Sequence, residues 1–165
     1  MKGFGKYGFP ESHSASFALL VYVSAWLKCH VPAAFYCGLL NSYPMGFYSP
    51  SQLLQEARRN DISVLGPCVN QSDYDYSLYE QADSPGILVG LRAIKGLPQA
   101  ALNQLLLARA QGPFQSLDDL AQRSGLSAAG LEKLAGAGAL DSLGQHRQAA
   151  RWALADSAWQ LPLLA

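Results

Sequence analysis

The chain has 165 residues, half of them hydrophobic and 15% charged, which suits one domain or two small ones with a real core and argues against general disorder. Its formal net charge is zero, which argues against a strongly basic nucleic-acid-binding protein. The charge is uneven, however: residues 31–85 carry two basic and six acidic side chains (−4), and residues 86–152 carry seven basic and four acidic ones (+3), so local anion binding stays open.

The first predicted element is an apolar helix. Ser12 or Ser14 can cap a helix that runs to about His30. Residues 15–27 are apolar apart from Ser16 and Ser24. This run is too short to span a bilayer, and it lacks the basic leader and cleavage site of a signal peptide. We therefore interpret it as a buried helix whose aromatic side chains are core rather than a stacking platform: Phe17, Tyr22 and Trp26.

Two more helices are predicted before residue 61. Pro32 suits the first turn of a helix at about 32–41. After the loop "NSYPMGFYSP", Ser49 or Ser51 caps a third helix that ends near Asn60.

A small β element and then a series of short helices follow. The segments "ISVLGPCVN", "YDYSLYEQ" and "ILVGL" are typical of short strands separated by turns. From Leu91 onward the pattern is helical, at about 91–94, 98–111, 116–123, 127–136 and 144–158. The predicted fold class is mainly α with a small β element.

The sequence gives little sign of catalytic or metal chemistry. Cys29, Cys37 and Cys68 form no CxxC pair, which argues against a zinc site and fits a reducing, cytoplasmic compartment. Asp73 and Asp75 have no third ligand nearby, and we interpret them as solvated acids. We predict neither catalytic residues nor a metal site.

The segment "VGLRAIKGLPQAALNQLLLAR" has the helix-hairpin-helix pattern. Because Gly96 has no side chain, a phosphate can approach the backbone of the hairpin. The following helix start offers unpaired N–H groups and a positive dipole end. Such a hairpin binds nucleic-acid backbone without reading bases, and Arg92 and Lys95 add cations. The predicted DNA-binding residues here are Arg92, Lys95, Gly96 and Leu97.

A second, degenerate copy is predicted in "LEKLAGAGALDSLGQHRQAARWAL". Two copies would pack as a pseudo-symmetric unit that grips both strands of a duplex. The alternative is a plain helical hairpin in which the glycines only terminate helices. The predicted DNA-binding residues of this copy are Gly136, Gly138, Gly144, His146 and Arg147.

Long runs of the chain resemble a known family. "GFGKYGFPESHSASFALLVYVSAWLKCHVPAAFYCGLLNSYPMGFYSPSQLLQEARRN", followed by "VN" and "GLRAIKGL", is similar to bacterial C-family DNA polymerases, the relatives of the DNA polymerase III alpha subunit. Pro10-Glu11-Ser12-His13 and "NSYPMGFYSPSQL" resemble the error-prone, translesion branch, since the replicative branch usually carries Asn-Lys where this chain has Pro10-Glu11. The resemblance extends to about Trp152.

This resemblance implies a fragment with four parts: late polymerase fingers at 1–60, a β-containing connector at 61–90, a tandem helix-hairpin-helix domain at 91–152 and a tail at 153–165. The catalytic palm, with its Mg²⁺ ions, would lie outside, so we expect the isolated chain to be inactive. The expected function is that of a fragment of an error-prone DNA-directed DNA polymerase in translesion synthesis and repair, binding template-primer DNA through backbone phosphates. The alternative is a self-contained, non-enzymatic helix-hairpin-helix module that binds DNA or protein.

The resemblance also implies further contacts. Ser12 and His13 would lie near the triphosphate of the incoming dNTP, whereas on physical grounds alone Ser12 and Ser14 could cap the helix while His13 packs. The tail "WQLPLLA" weakly resembles a peptide that binds the sliding clamp. Candidate partners are therefore duplex template-primer DNA, dNTP, the clamp and proteins of a mutagenesis complex, with no membrane.

Overall fold

The structure is a computed structural model that describes residues 11–45, 48–82 and 84–144, with side chains from Ser14 onward. In these residues the helices are α1 (Glu11–His30), α2 (Pro32–Asn41), α3 (Pro50–Arg59), α4 (Gln99–Arg109), α5 (Leu117–Ser124) and α6 (Ala128–Gly136). The strands are β1 (Val64–Leu65), β2 (Ser77–Tyr79) and β3 (Gly86–Leu88), and short 3-10 helices lie at Leu91–Ala93 and Asp141–Leu143. The predicted fold class, mainly α with a small β element, is confirmed.

Local sequence signals explain where α2 and α3 begin. Pro32 opens α2. Ser49, not Ser51, caps α3: its hydroxyl accepts from the Gln52 N–H (3.3 Å), and the Gln52 side chain accepts from the Ser49 N–H (2.8 Å). This reciprocal pair is a capping box, which satisfies two backbone donors at the helix start.

The apolar helix α1 differs from its prediction in two ways. Ser12 and Ser14 both lie inside α1, so the prediction that one of them caps it is wrong. The predicted burial is also wrong, because Phe17, Tyr22 and Trp26 are 54%, 68% and 47% exposed. A helix that is apolar all round needs neighbours on every side, and α1 packs chiefly on α2.

Sheet and helices form a first core in the N-terminal half. β3 lies in the middle of the sheet, parallel to β1 and antiparallel to β2, with Ile87 opposite Val64 and Leu78. Its inner face packs on α2 and α3. The side chains buried here include Tyr36, Leu40, Leu53, Ala57, Ile62, Tyr76 and Ile87.

A second core lies within the helices of the C-terminal half. Its buried members include Leu91, Leu102, Leu105, Phe114, Leu120, Leu134 and Leu140. The loop between β1 and β2 belongs to this core through Val69, which is fully buried. The Asn70 side chain donates to the Phe114 carbonyl (2.9 Å) and accepts from the Phe114 N–H (2.8 Å). The connector therefore packs its sheet on one core and its loop on the other.

The C-terminal helices follow the predicted order. The predicted helix at 91–94 is a 3-10 turn, and the helices predicted at 98–111, 116–123 and 127–136 correspond to α4, α5 and α6. The helix predicted at 144–158 lies outside the described residues except for its first position. Among the described residues, no helix is long and apolar enough to cross a membrane.

Candidate nucleic-acid interface

The first hairpin, residues 95–98, joins the 3-10 turn to α4. Gly96 has a φ of +81°, a left-handed conformation that favours glycine. Pro98 forms the N-cap of α4 without any side-chain hydrogen bond, and the next two residues are exposed. Leu97 is half-buried and packs against the C-terminal core. The hairpin thus presents the uncapped start of an 11-residue helix, with its positive dipole end, on an anchored turn.

Two lysines flank this turn. Lys95 is exposed and forms no ion pair with any described residue. Lys133, on α6, reaches across so that its ammonium group donates to the Gly96 carbonyl. A Cβ at position 96 would lie 2.9 Å from the Lys133 Nζ. Sequence reasoning missed Lys133, since only the tertiary packing of α6 brings it to a turn 37 residues away.

Arg92 is held by the protein itself. Its guanidinium donates to the Asp75 carboxylate (2.6 Å) and to the Tyr43 carbonyl (3.0 Å), and only 24% of the side chain is exposed. Its guanidinium also lies 5.8 Å from the centre of the Tyr74 ring. Arg92 therefore joins the hairpin domain to the connector, and its role as a DNA contact stays a prediction.

The second predicted hairpin follows α6. Gly136 is the last residue of α6, Gly138 has a φ of +76°, and Gly144 ends the 3-10 helix with a φ of +69°. The turn is tied down because the Val69 N–H donates to the Ala139 carbonyl (2.9 Å). Its predicted cations, His146 and Arg147, lie outside the described residues.

Ser12 and His13 lie in α1, and their side chains are outside the described set. Within residues 11–45, 48–82 and 84–144, no three His, Cys, Asp or Glu side chains come together in a way that could hold a metal ion. Burial raises the pKa of the Cys37 thiol, and the nearby charge of Asp75 raises it further, so Cys37 stays protonated and donates to the Tyr76 carbonyl.

Comparison with known proteins first identifies the class of protein to which this chain belongs. Residues 61–150 match the family model of the helix-hairpin-helix motif, which covers more than half of the chain, and the chain belongs to this family. The match begins at the connector, in keeping with the packing of Val69 and Asn70 on the hairpin helices.

Proteins of similar sequence then define this class of protein more closely. The chain is 54% identical to the error-prone DNA polymerase of Aromatoleum aromaticum over 92% of its own length, and 52% identical to that of Methylococcus capsulatus over 100%. It is 57% identical to that of Teredinibacter turnerae over 92%. The chain spans only 15 to 18% of the length of these relatives. The resemblance to the error-prone branch of the polymerases is thus confirmed.

Proposed function

We propose that this chain supplies part of the DNA grip of an error-prone DNA-directed DNA polymerase, and that it holds template-primer duplex through backbone phosphates at residues 95–98. The observation that carries the proposal is the Gly96 turn, which leads into the uncapped start of α4 beside the unpaired Lys95. The family match and the names of the relatives support it.

The chemistry of this grip is independent of base sequence. A phosphate oxygen can approach the Gly96 backbone and accept from the first N–H groups of α4, where the helix dipole favours negative charge. Lys95 adds a mobile cation, and each phosphate it neutralises releases counterions, which makes binding weaken with salt. Leu97 holds the turn on the core, so little ordering is needed when DNA binds.

The proposal extends to the whole polymerase. We place the catalytic carboxylates and their Mg²⁺ ions in a palm domain outside these residues, so the chain positions DNA and does not itself join nucleotides. Ser12 and His13 contact the triphosphate of the incoming dNTP, and the polymerase acts in translesion synthesis in the cytoplasm. The tail binds the sliding clamp. If immobilised clamp retains the Gln160→Ala variant as well as the original chain, the proposed binding of the tail to the clamp is refuted.

Fluorescence anisotropy with labelled template-primer, duplex and single-stranded DNA across a salt series tests the grip. Lys95→Glu and Gly96→Glu are each expected to weaken duplex binding more than tenfold. Arg59→Glu matches the charge change of Lys95→Glu at a side chain that is 75% exposed on α3. Gly38→Glu matches Gly96→Glu at an α2 position where a Cβ meets nothing within 4 Å. Both controls are expected to bind like the original chain.

Three results would count against the grip. Duplex binding that is unchanged by both hairpin variants would move the DNA contact elsewhere. Equal losses in the hairpin variants and their matched controls would show a general charge effect. Absence of any binding at low salt would favour the alternative role, a module in which the hairpins pack against protein.

A further inference from the structure

The cations of the described residues divide into two groups. Five are paired with carboxylates at 2.6–3.9 Å: Lys28, Arg59, Arg92, Arg109 and Arg123. Three have no carboxylate partner among the described residues: Arg58, Lys95 and Lys133. These three come from α3, from the first hairpin and from α6, which lie far apart in the sequence.

All three unpaired cations line the same groove. It has a volume of about 430 Å³ and runs between the C-terminal end of α3, the turn after β1 and the first hairpin. Among the residues that the structure describes, no carboxylate lines it, and its floor is apolar, with contributions from Leu54, Pro67, Val89 and Ile94. We call this the α3–hairpin groove. Its size falls within the usual range of ligand sites, about 300–1,000 Å³.

We propose that the α3–hairpin groove is a second phosphate site of the DNA grip, in which the strand held at Gly96 continues across Lys95 and Lys133 to Arg58. This inference rests on the proposed function and extends it from the hairpin domain to α3. The backbone phosphates of DNA are the ligand, and Arg58 is the outer contact.

The charge distribution favours a phosphate ligand. Cations without carboxylate partners repel one another in the free protein, and an anion bound among the three would relieve this repulsion. A guanidinium can hold two phosphate oxygens at once, which suits Arg58 to the end of the path. The apolar floor suits the deoxyribose between phosphates, since it buries carbon without leaving polar groups unpaired.

A simpler role for Arg58 would be to stabilise the C-terminus of α3 through the helix dipole. Arg59 lies at the same helix end and is paired there with Glu56 (3.8 Å). The adjacent pair Arg58 and Arg59 therefore forms a natural comparison, since both are exposed and only Arg58 lines the groove.

The test measures how tightly duplex DNA is bound by the 165-residue chain and by its variants Arg58→Ala, Lys133→Ala and the control Arg59→Ala. Fluorescence anisotropy across a salt series is the readout. Arg58→Ala and Lys133→Ala are each expected to weaken binding about threefold to tenfold and to lower the slope of log K against log salt by about 0.9, the value for one lost phosphate contact. Arg59→Ala is expected to change neither. Thermal unfolding checks that all variants fold.

The outcomes separate this inference from the proposed function. If Lys95→Glu abolishes binding but Arg58→Ala leaves the salt slope unchanged, the groove site is refuted and the hairpin grip stands. If the original chain binds no DNA, both are refuted. A second measurement uses inorganic phosphate alone: tight binding that depends on Arg58, without any effect of Arg58→Ala on DNA, identifies a free-anion pocket and overturns the strand path.

Discussion

The two glycine turns of the helix-hairpin-helix region have nearly the same backbone and different surroundings. Gly96 and Gly138 have φ values of +81° and +76°. The residue after Gly96, Leu97, is half-buried beside two unpaired lysines. The residues after Gly138, Ala139 and Leu140, are buried, and the Ala139 carbonyl is bonded to the connector.

The two turns therefore share a left-handed glycine and differ in the charge and the packing around it. At Gly96 the neighbours are cations and the uncapped start of α4. At Gly138 the nearest side chain to an added Cβ is the Asp141 carboxylate, at 3.8 Å, which repels phosphate. Among the described residues, the second turn contacts the connector through the hydrogen bond from the Val69 N–H to the Ala139 carbonyl.

The largest difference between the turns is expected in stability. Leu140→Ala is expected to lower the free energy of unfolding by about 2–5 kcal/mol, because Leu140 is 1% exposed and its truncation leaves a cavity. Leu97→Ala is expected to cost clearly less, since Leu97 is half-buried. Urea unfolding followed by circular dichroism measures both. Equal costs would show that the two turns are anchored alike.

Substituting alanine for each glycine distinguishes the contribution of the turn to stability from its contribution to DNA binding. Gly96→Ala and Gly138→Ala are each expected to destabilise the fold by about 1–2 kcal/mol, because both impose a left-handed conformation on a residue with a Cβ. DNA affinity is expected to fall only for Gly96→Ala, whose Cβ displaces Lys133. Parallel thermal unfolding and anisotropy provide the measurement, and a similar affinity loss in Gly138→Ala would restore a symmetric two-hairpin grip.

Local signals made much of the fold predictable. Pro32 and Ser49 mark helix starts through backbone chemistry that operates within four residues. The predicted start at Pro32 is confirmed, and of the two predicted caps, Ser49 and Ser51, the structure has Ser49. The Gly96 turn was predictable for the same reason, because its left-handed φ favours glycine.

The unpredicted features depend on tertiary neighbours. The exposure of Tyr22 follows from which elements reach α1, and an apolar run carries no information about that. Arg92 was predicted to add a cation beside the hairpin, and its pairing with Asp75, 17 residues away in the connector, was not foreseen. Lys133 reaches Gly96 only after α6 has packed. Charge counts in the sequence cannot distinguish paired cations from free ones.

The smallest expected effect concerns α5, which packs behind the first hairpin's helix. The pKa of Asp119 is lowered from its usual 3.8, first because its carboxylate accepts from the Gln115 N–H and also because Arg123 lies 3.1 Å away. A lowered folded-state pKa gives stability that is present above the unfolded pKa and is lost as pH falls through the folded value. Arg123 also donates to the carbonyls of Ala108 and Gly112, so it links α5 to the end of α4.

Asp119→Asn is therefore expected to lower the melting temperature slightly at pH 7, with the difference closing as pH falls below about 3.8. Asp118→Asn is the matched control, because the Asp118 side chain makes no hydrogen bond or ion pair with the described residues. Thermal unfolding between pH 7 and pH 3 is the measurement. Since α5 contributes no cation to the α3–hairpin groove, DNA affinity at pH 7 is expected to be unchanged. A loss of DNA affinity in Asp119→Asn would mean that the Gly96 turn, like the Gly138 turn, depends on packing against neighbouring elements, here the packing of α5 on α4.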